Sequence, residues 1–500
     1  MNVAEAVSGK RGIEGVRGLL FGAESQELVQ KTLSSLLNSP AVLKLDHPYR
    51  VRFKPGHKLT AYYDLRIPAY GIRPVAVIWR GHRSAGWRKV QDQISVIETE
   101  AVARGVLAPF RALATEARER NLRIQVAPLD VDFPQLARAF DPQYVTHKFP
   151  GLFDANQNRL PSPSARGCRV SVVRYQPGLR HVLRYEFTGL GTDVVAFAKL
   201  SPPDDSARAY QVSMHVSRWL CTHGTGLSCV EPFAFDPADA LVLYREAAGL
   251  PLSQHLERSN RDLTAWLRRA GEMLRLLHCS PKPITAKVES RDAEAEMAEA
   301  AGASDFVEAI LPEEGAMIRA LLECAREVYP RLPQEPRTLT HGDLKLEHLW
   351  VTESGLTLMD FDTCRLDDPA LDVGTFLADL RICCSLCDRP GAEEAQSHFL
   401  DGYSSGALSE RLVRARFYEA LELVKMTVRR VQVSDQAWTS QTEKLVRRAR
   451  LVMERLRETL GLPTKNPLSN ATPQSSTAWE GSVAGKTPRR QARPGAIGDA

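Results

Sequence analysis

The stretch from Leu339 to Gly374, LTHGDLKLEHLWVTESGLTLMDFDTCRLDDPALDVG, constrains this chain more than any other. Two brief β-like runs, HLWV and LTLM, flank Glu353-Ser354-Gly355, and strand, turn, strand reads as a hairpin. Asp343 lies in the polar loop before the first strand, and Asp360 lies at the end of the second. A hairpin returns the chain to its starting edge, so it brings both carboxylates to the same edge of the sheet. That is the geometry of one base and one metal ligand. Phosphoryl transfer from ATP asks for such a pair. One carboxylate receives or orients the acceptor's hydroxyl proton, one or two Mg²⁺ bridge the phosphates, and a cation steadies the charge.

The front half holds an internal repeat. VRFKPGHKLTAYYDL begins at Val51 and VRYQPGLRHVLRYEF at Val173, with identical Val, Arg, Pro, Gly and Tyr in register. Phe53 matches Tyr175, Lys58 matches Arg180, Asp64 matches Glu186 and Leu65 matches Phe187. Each copy reads strand, Pro-Gly turn, strand. An apolar strand follows in each, PVAVIWR or DVVAFAKL, and then a helical stretch. The first helix is expected around Ile94 to Leu107. The second carries Ala209, Val212, Val216, Trp219 and Leu220 at a 3-4 spacing that lays one apolar stripe on a sheet. Two sheet-plus-helix lobes of one ancestry follow from this, with chance similarity as the alternative.

Beyond Ala240 the pattern turns mostly helical. Helices are expected at Leu263 to His278, Arg291 to Ala301, Glu313 to Val328 and most of Ser409 to Leu460, with the Glu353 hairpin as the one β-like piece among them. After Pro463 the chain is rich in Ser, Thr, Pro, Gly and Ala. Such a stretch cannot bury enough surface to offset its ordering entropy, so residues 463–500 are read as a disordered tail. Cys383, Cys384 and Cys387 lie close together in RICCSLC. With no His or Cys partners at zinc spacing they read as small apolar fillers of a helix, a metal or redox site being the other reading.

The order HGD, hairpin, DFD and DP-x-x-D resembles the signature of the aminoglycoside phosphotransferase and choline kinase group, a branch of the protein-kinase-like fold. The resemblance covers roughly Cys168 to Leu460. It implies an α+β, two-lobed architecture: a small antiparallel β lobe over 166–248 and a larger helical lobe with the catalytic loop over 249–462. Residues 1–165 would form an extra accessory segment resembling a kinase N-terminal lobe. The resemblance also implies ATP and Mg²⁺ as cofactors and a small-molecule hydroxyl acceptor. By residue, Asp343 corresponds to the catalytic base and Asp360 to the principal Mg²⁺ ligand. Lys345 matches the lysine that steadies the γ-phosphate, and Lys199, closing VVAFAKL, the strand lysine that reaches the α- and β-phosphates. A solvated strand end is the plainer reading of Lys199. YREAAGLPL matches the hinge, where the backbone of Tyr244, Glu246 and Ala248 would hold adenine before Gly249 turns the chain. His341 and Asp372 correspond to holders of the catalytic loop, although Asp372 also reads as a helix N-terminal carboxylate.

Two positions depart from the family pattern. Asn is usual five residues after the base, as second metal ligand, and here His348 stands there. Its two readings are a metal ligand, though imidazole suits softer ions than Mg²⁺, or a hydrogen-bond partner of phosphate or metal-bound water. The helix after Lys199, SARAYQVSMHVSRWL, also offers no Glu to pair with that lysine.

A net charge of +5 over 500 residues does not suggest a nucleic-acid partner. No run approaches the ~18 to 20 apolar residues of a membrane span, and no secretory signal opens the chain, so a cytoplasmic location is expected. The leading reading is a kinase acting on a hydroxyl of a sugar or similar metabolite. A nucleotide-sensing pseudokinase is the rival, and a third reading makes the front repeat a docking domain for a protein partner.

Overall fold

The β-branched run Val194–Leu200 becomes the central strand of a five-stranded antiparallel sheet. Its order is Pro232–Asp236, Leu241–Arg245, Val194–Leu200, Arg180–Thr188 and Gly167–Gln176. The computed structural model describes residues 2–82, 86–149, 167–188, 194–258, 262–281, 290–387, 389–405 and 409–463. The tail expected after Pro463 thus lies outside the described residues. Ala209, Val212, Val216 and Leu220 of the helix Pro203–His223 are buried, the stripe that the spacing predicts. Trp219 is half-buried and donates its indole N–H to Leu276 O at 2.8 Å.

A second sheet repeats this plan. Arg50–Lys54, Lys58–Ile67, Gly71–Arg80, Leu122–Val126 and Ala114–Ala117 lie in the same spatial order as their counterparts, with Lys44–Leu45 added beside Lys58–Ile67. The helix Gly86–Ala103 intervenes between its third and fourth strands in sequence, as Pro203–His223 does in the other copy. It begins and ends earlier than the Ile94 to Leu107 expected. Strand register also corrects one correspondence. Thr60 pairs with Ile78, while its counterpart Val182 pairs with Lys199. The position equivalent to Lys199 is therefore Ile78, and not Trp79 or Arg80, which the repeat read from the sequence alone would match to that lysine.

The helical region follows: Leu252–Glu257, Leu263–His278, Ala293–Glu308, Pro312–Val328, Ala370–Leu386, Ala392–Ser404, Ser409–Arg429 and Trp438–Thr459. The hairpin forms as expected, with Leu349–Thr352 against Gly355–Leu358. It is not the only β structure here. Leu227–Cys229 adds in parallel to Gly355–Leu358, Leu250–Pro251 pairs with Leu349–Thr352, and Thr338–Thr340 pairs with Arg365–Asp367. Runs of two to four residues carry too little alternation to be seen in sequence. Three N-terminal helices, Val3–Ser8, Gly12–Phe21 and Ala23–Ser34, also went unread, the first too short to show a period and the second interrupted by glycines. Cys383 and Cys384 are buried in the helix Ala370–Leu386, and no group of three or more His, Cys, Asp or Glu among the described residues is placed to hold a metal ion. No helix among them is long and apolar enough to cross a membrane.

The two sheets meet through buried polar contacts. Asp130 of the N-terminal region accepts from Gly178 N at 2.8 Å and lies 2.7 Å from His181 Nε2, in the turn and second strand of the other sheet. Tyr175 donates its hydroxyl to Leu129 O, and Asp239 binds Arg138 and Tyr144. The N-terminal region also touches the helical region, where Val51 N donates to Gln432 Oε1 and Phe53 packs edge-on against Phe306.

Removing one partner of a buried charged contact costs roughly 3–5 kcal/mol. Asp130→Ala is therefore expected to lower unfolding stability by about that much in a urea titration, and Asp130→Asn by less, because its amide oxygen still accepts from Gly178.

Candidate active site

The catalytic loop begins where the strand Thr338–Thr340 ends. Gly342 takes φ +80°, and a Cβ there would lie 2.3 Å from Thr363 O, so the loop can pass only as glycine. Asp372, in the first turn of Ala370–Leu386, clamps this bend. It accepts from His341 N at 2.7 Å and Gly342 N at 2.8 Å, and lies 3.1 Å from His278 Nε2. Asp372 is wholly buried. Burial alone would raise its pKa, but hydrogen bonding and charge from His278, with His341 beside it, hold the carboxyl below its usual range. The ring of His341 reaches the other side of the bend, with Nε2 2.8 Å from Met359 O, just before Asp360.

Asp343 follows, 5% exposed, and receives Lys345 Nζ on Oδ2 at 2.8 Å. Burial opposes its charge, yet Lys345, His348 and Arg429 together keep its carboxyl below the ordinary value. The backbone beyond is held by a residue that the motif did not mark: Asp379 accepts from Leu346 N at 2.8 Å and pairs with Arg430.

Asp360 lies across the hairpin in the left-handed region at φ +68°, a strained backbone for a residue with a side chain. Its Oδ1 pairs with Lys199 Nζ at 2.5 Å, and the same ammonium lies 2.6 Å from Asp362 Oδ2. Burial would raise the Asp360 pKa, but the Lys199 charge outweighs it and holds the carboxyl well below the usual range. The strand lysine, the hairpin carboxylate and Asp362 thus form one cluster. No helix glutamate is involved: the helix after Lys199 instead offers Arg208, which reaches Asp362 O at 3.3 Å. Arg180 pairs with Asp362 from the other side at 3.3 Å.

His348 is wholly buried beside this cluster, stacked on His341 with ring centroids 5.3 Å apart. Its burial pushes the imidazole pKa down to about 3, so the ring is neutral. Neither ring nitrogen has a hydrogen-bond partner, and neither does Asp360 Oδ2, 3.8 Å from His348 Nε2. Buried polar atoms of this kind call for a partner. Donors about 2.1 Å from a common ion lie at most about 4.2 Å apart, so the pair fits one small divalent cation. With only these two protein donors, phosphate oxygens and water would supply the rest.

A cleft opens beside Lys199 and Asp360, lined by Phe197, Val230, Tyr244, Glu246, Ala247, Trp350 and Met359. Ala248, expected in this wall, is exposed and outside it; the chain already turns away into Gly249, at φ +86°. The residues that sequence reasoning missed are Asp362, Arg180, His278 and Asp379. Asp362 was legible in the DFD triplet. The others act across long separations that no local spacing reveals.

Residues 178–418 match the phosphotransferase enzyme family. No curated protein matches the chain. Among solved structures, a choline/ethanolamine kinase family protein from Mesorhizobium loti is similar at 15% identity, covering 58% of this chain and 91% of that one, TM-score 0.39. A choline kinase from Cryptosporidium parvum is similar at 10% identity, over 63% and 96%, TM-score 0.41. An aminoglycoside phosphotransferase from Streptomyces rimosus is similar at 19% identity, over 51% and 92%, TM-score 0.35.

Asp372→Ala leaves two buried N–H groups and a histidine without their acceptor. A loss of roughly 3–5 kcal/mol is expected in chemical unfolding, and a change under about 1 kcal/mol would show that the bend stands without the clamp.

Proposed function

We propose that this chain, whose residues 178–418 carry a domain of the phosphotransferase enzyme family, transfers the γ-phosphoryl group of ATP to a hydroxyl of a small molecule, a sugar or similar metabolite. The observation that carries the reading is the meeting of two opposed sets at the hairpin edge: Asp343 with Lys345 on one strand end, and Asp360 with Lys199 on the other. A protein that only binds nucleotide has no use for the first pair.

In this reading Asp343 orients the acceptor hydroxyl and takes its proton as the oxygen bonds to the γ-phosphorus and the bond to the bridging oxygen breaks. Lys345, 2.8 Å from Asp343, steadies the charge gathering on the transferred group. Lys199 draws the α- and β-phosphates into the cleft, and the backbone of Tyr244 to Ala247 holds the base. Asp360 and His348 would hold the divalent cation, Mg²⁺, which when bound neutralises the phosphate oxygens. The clamp of Asp372 and the ring of His341 keep the two carboxylates in register. A neutral or anionic acceptor is favoured over a polycationic one by a cavity of about 290 Å³ beside Asp362, which Arg180, Arg208, Arg291 and Arg365 line against Asp205 and Asp362. A second reading, a nucleotide-binding module without transfer, rests on His348, where an oxygen ligand is usual.

The test is ATP consumption by the purified chain against a panel of sugars, sugar phosphates and amino alcohols. Transfer is expected for at least one acceptor, and Asp343→Asn should lower it about 10²- to 10⁴-fold with nucleotide affinity nearly unchanged. Activity within a fewfold of wild type would remove Asp343 from the mechanism.

His348→Asn separates the two readings. Asn offers an oxygen of the kind hard cations prefer, so Mg²⁺-supported turnover should hold or rise, and any preference for Mn²⁺ over Mg²⁺ should shrink. Identical metal profiles for the two proteins would exclude His348 as a ligand. Nucleotide binding without transfer in either would favour the second reading.

A further inference from the structure

The first sheet has a face of its own to explain. On the side equivalent to the one that bears Lys199, it opens into a cavity of about 380 Å³. The volume is that of a small-molecule site. Alternation along the strands sends cations to this face in adjacent rows. Lys54 pairs across the sheet with Lys58, and Lys58 with Arg80, so three cations stand side by side. In the next row Arg52 pairs with Thr60, Thr60 with Ile78 and Ile78 with Arg123.

Like charges directly opposite one another destabilise a sheet. Burial, then Lys54, Arg80, Arg123 and Arg52, lower the Lys58 pKa, and burial, then Arg80, bring Arg123 down to about 10. Two acids line the cavity. Asp130 is already engaged by His181 and Gly178, and Asp132 stands at its edge. Among the described residues, Arg52, Lys54, Lys58 and Arg80 form no ion pair. The basic surface continues into a neighbouring opening, lined by Lys54, His57, Lys58, Arg80 and His82.

We propose that this pocket binds a small phosphorylated ligand carrying at least two phosphate-type charges, distinct from the nucleotide of the cleft beside Lys199. Arginine forks match phosphate oxygens in pairs, and lysines serve as point charges around them. The far wall is the turn Pro177-Gly178-Leu179 of the other sheet, which leads directly into Arg180. Arg180 in turn pairs with Asp362. A ligand here therefore contacts the turn that precedes a cation of the active-site cluster.

The test is calorimetric titration of the full chain with pyrophosphate. The wild type is compared with Lys58→Gln/Arg80→Gln and, separately, with Arg52→Gln/Lys54→Gln. Thermal melts verify that each variant folds, and these half-buried or exposed positions tolerate polar substitution. Saturable binding that weakens about tenfold or more in either folded variant is expected, because each loses two charge-assisted contacts. No saturable binding, or binding equal in all three proteins, would overturn the proposal; the latter would place pyrophosphate in the nucleotide cleft alone. So would a single-stranded oligonucleotide that binds through these residues while pyrophosphate does not.

Discussion

The contact on which the arrangement depends is the buried ion triad of Lys199, Asp360 and Asp362. Lys199 belongs to the central strand of the second sheet, whereas both carboxylates follow the hairpin of the helical region. Charges taken out of water are costly unless they are closely paired, and here one ammonium meets two carboxylates at 2.5 and 2.6 Å with Arg180 adding a second cation. The pairing ties the sheet to the helical region as a single electrostatic unit. It also explains how the lysine manages without a helix glutamate: its counter-charge comes from the loop that carries the chemistry.

Around the triad, support is layered. Asp372 holds the backbone of the bend before Asp343, His278 braces Asp372 and is itself held by Tyr403, and Asp379 with Arg430 holds the backbone after it. Such a chain of satisfied polar groups in a dry interior orients a loop more firmly than apolar packing would. The neighbouring His341 lacks a hydrogen-bond partner at Nδ1, and His348 lacks one at both ring nitrogens. His348 is as buried as its neighbours, and Asp360 Oδ2 beside it has no partner either. The strain in this site is likewise local, at the positive φ of Asp360.

Much of this was legible in the sequence because it depends on short spacing. The hairpin around Gly355, the apolar stripe of Pro203–His223 and the helix Leu263–His278 each sit where the pattern predicts. The repeat was legible for the same reason, since strand, Pro-Gly turn and strand is a local code. What could not be read depended on contacts between distant segments. Asp362 finds Arg180 across the lobes, Asp372 finds His278, and Asp379 finds Leu346 and Arg430. The equivalence of Ile78 with Lys199 needed strand register, which a sequence alignment with one residue of play does not determine.

That register carries the most weight in comparing the two sheets. They share a strand order, a Pro-Gly turn and the placement of a helix, yet the equivalent face differs in chemistry. In the second sheet a single lysine is buried against carboxylates beside an apolar cleft lined by Phe197 and Tyr244. In the first, isoleucine stands at the equivalent position, and cations gather in its own cross-strand row and in the adjacent one. Like charges set side by side across a sheet repel, so the row of Lys54, Lys58 and Arg80 is unfavourable for the sheet alone. Asp130 of the same cavity is engaged by His181 and Gly178, so the two cross-strand rows remain a basic face, on which the proposed phosphate site rests.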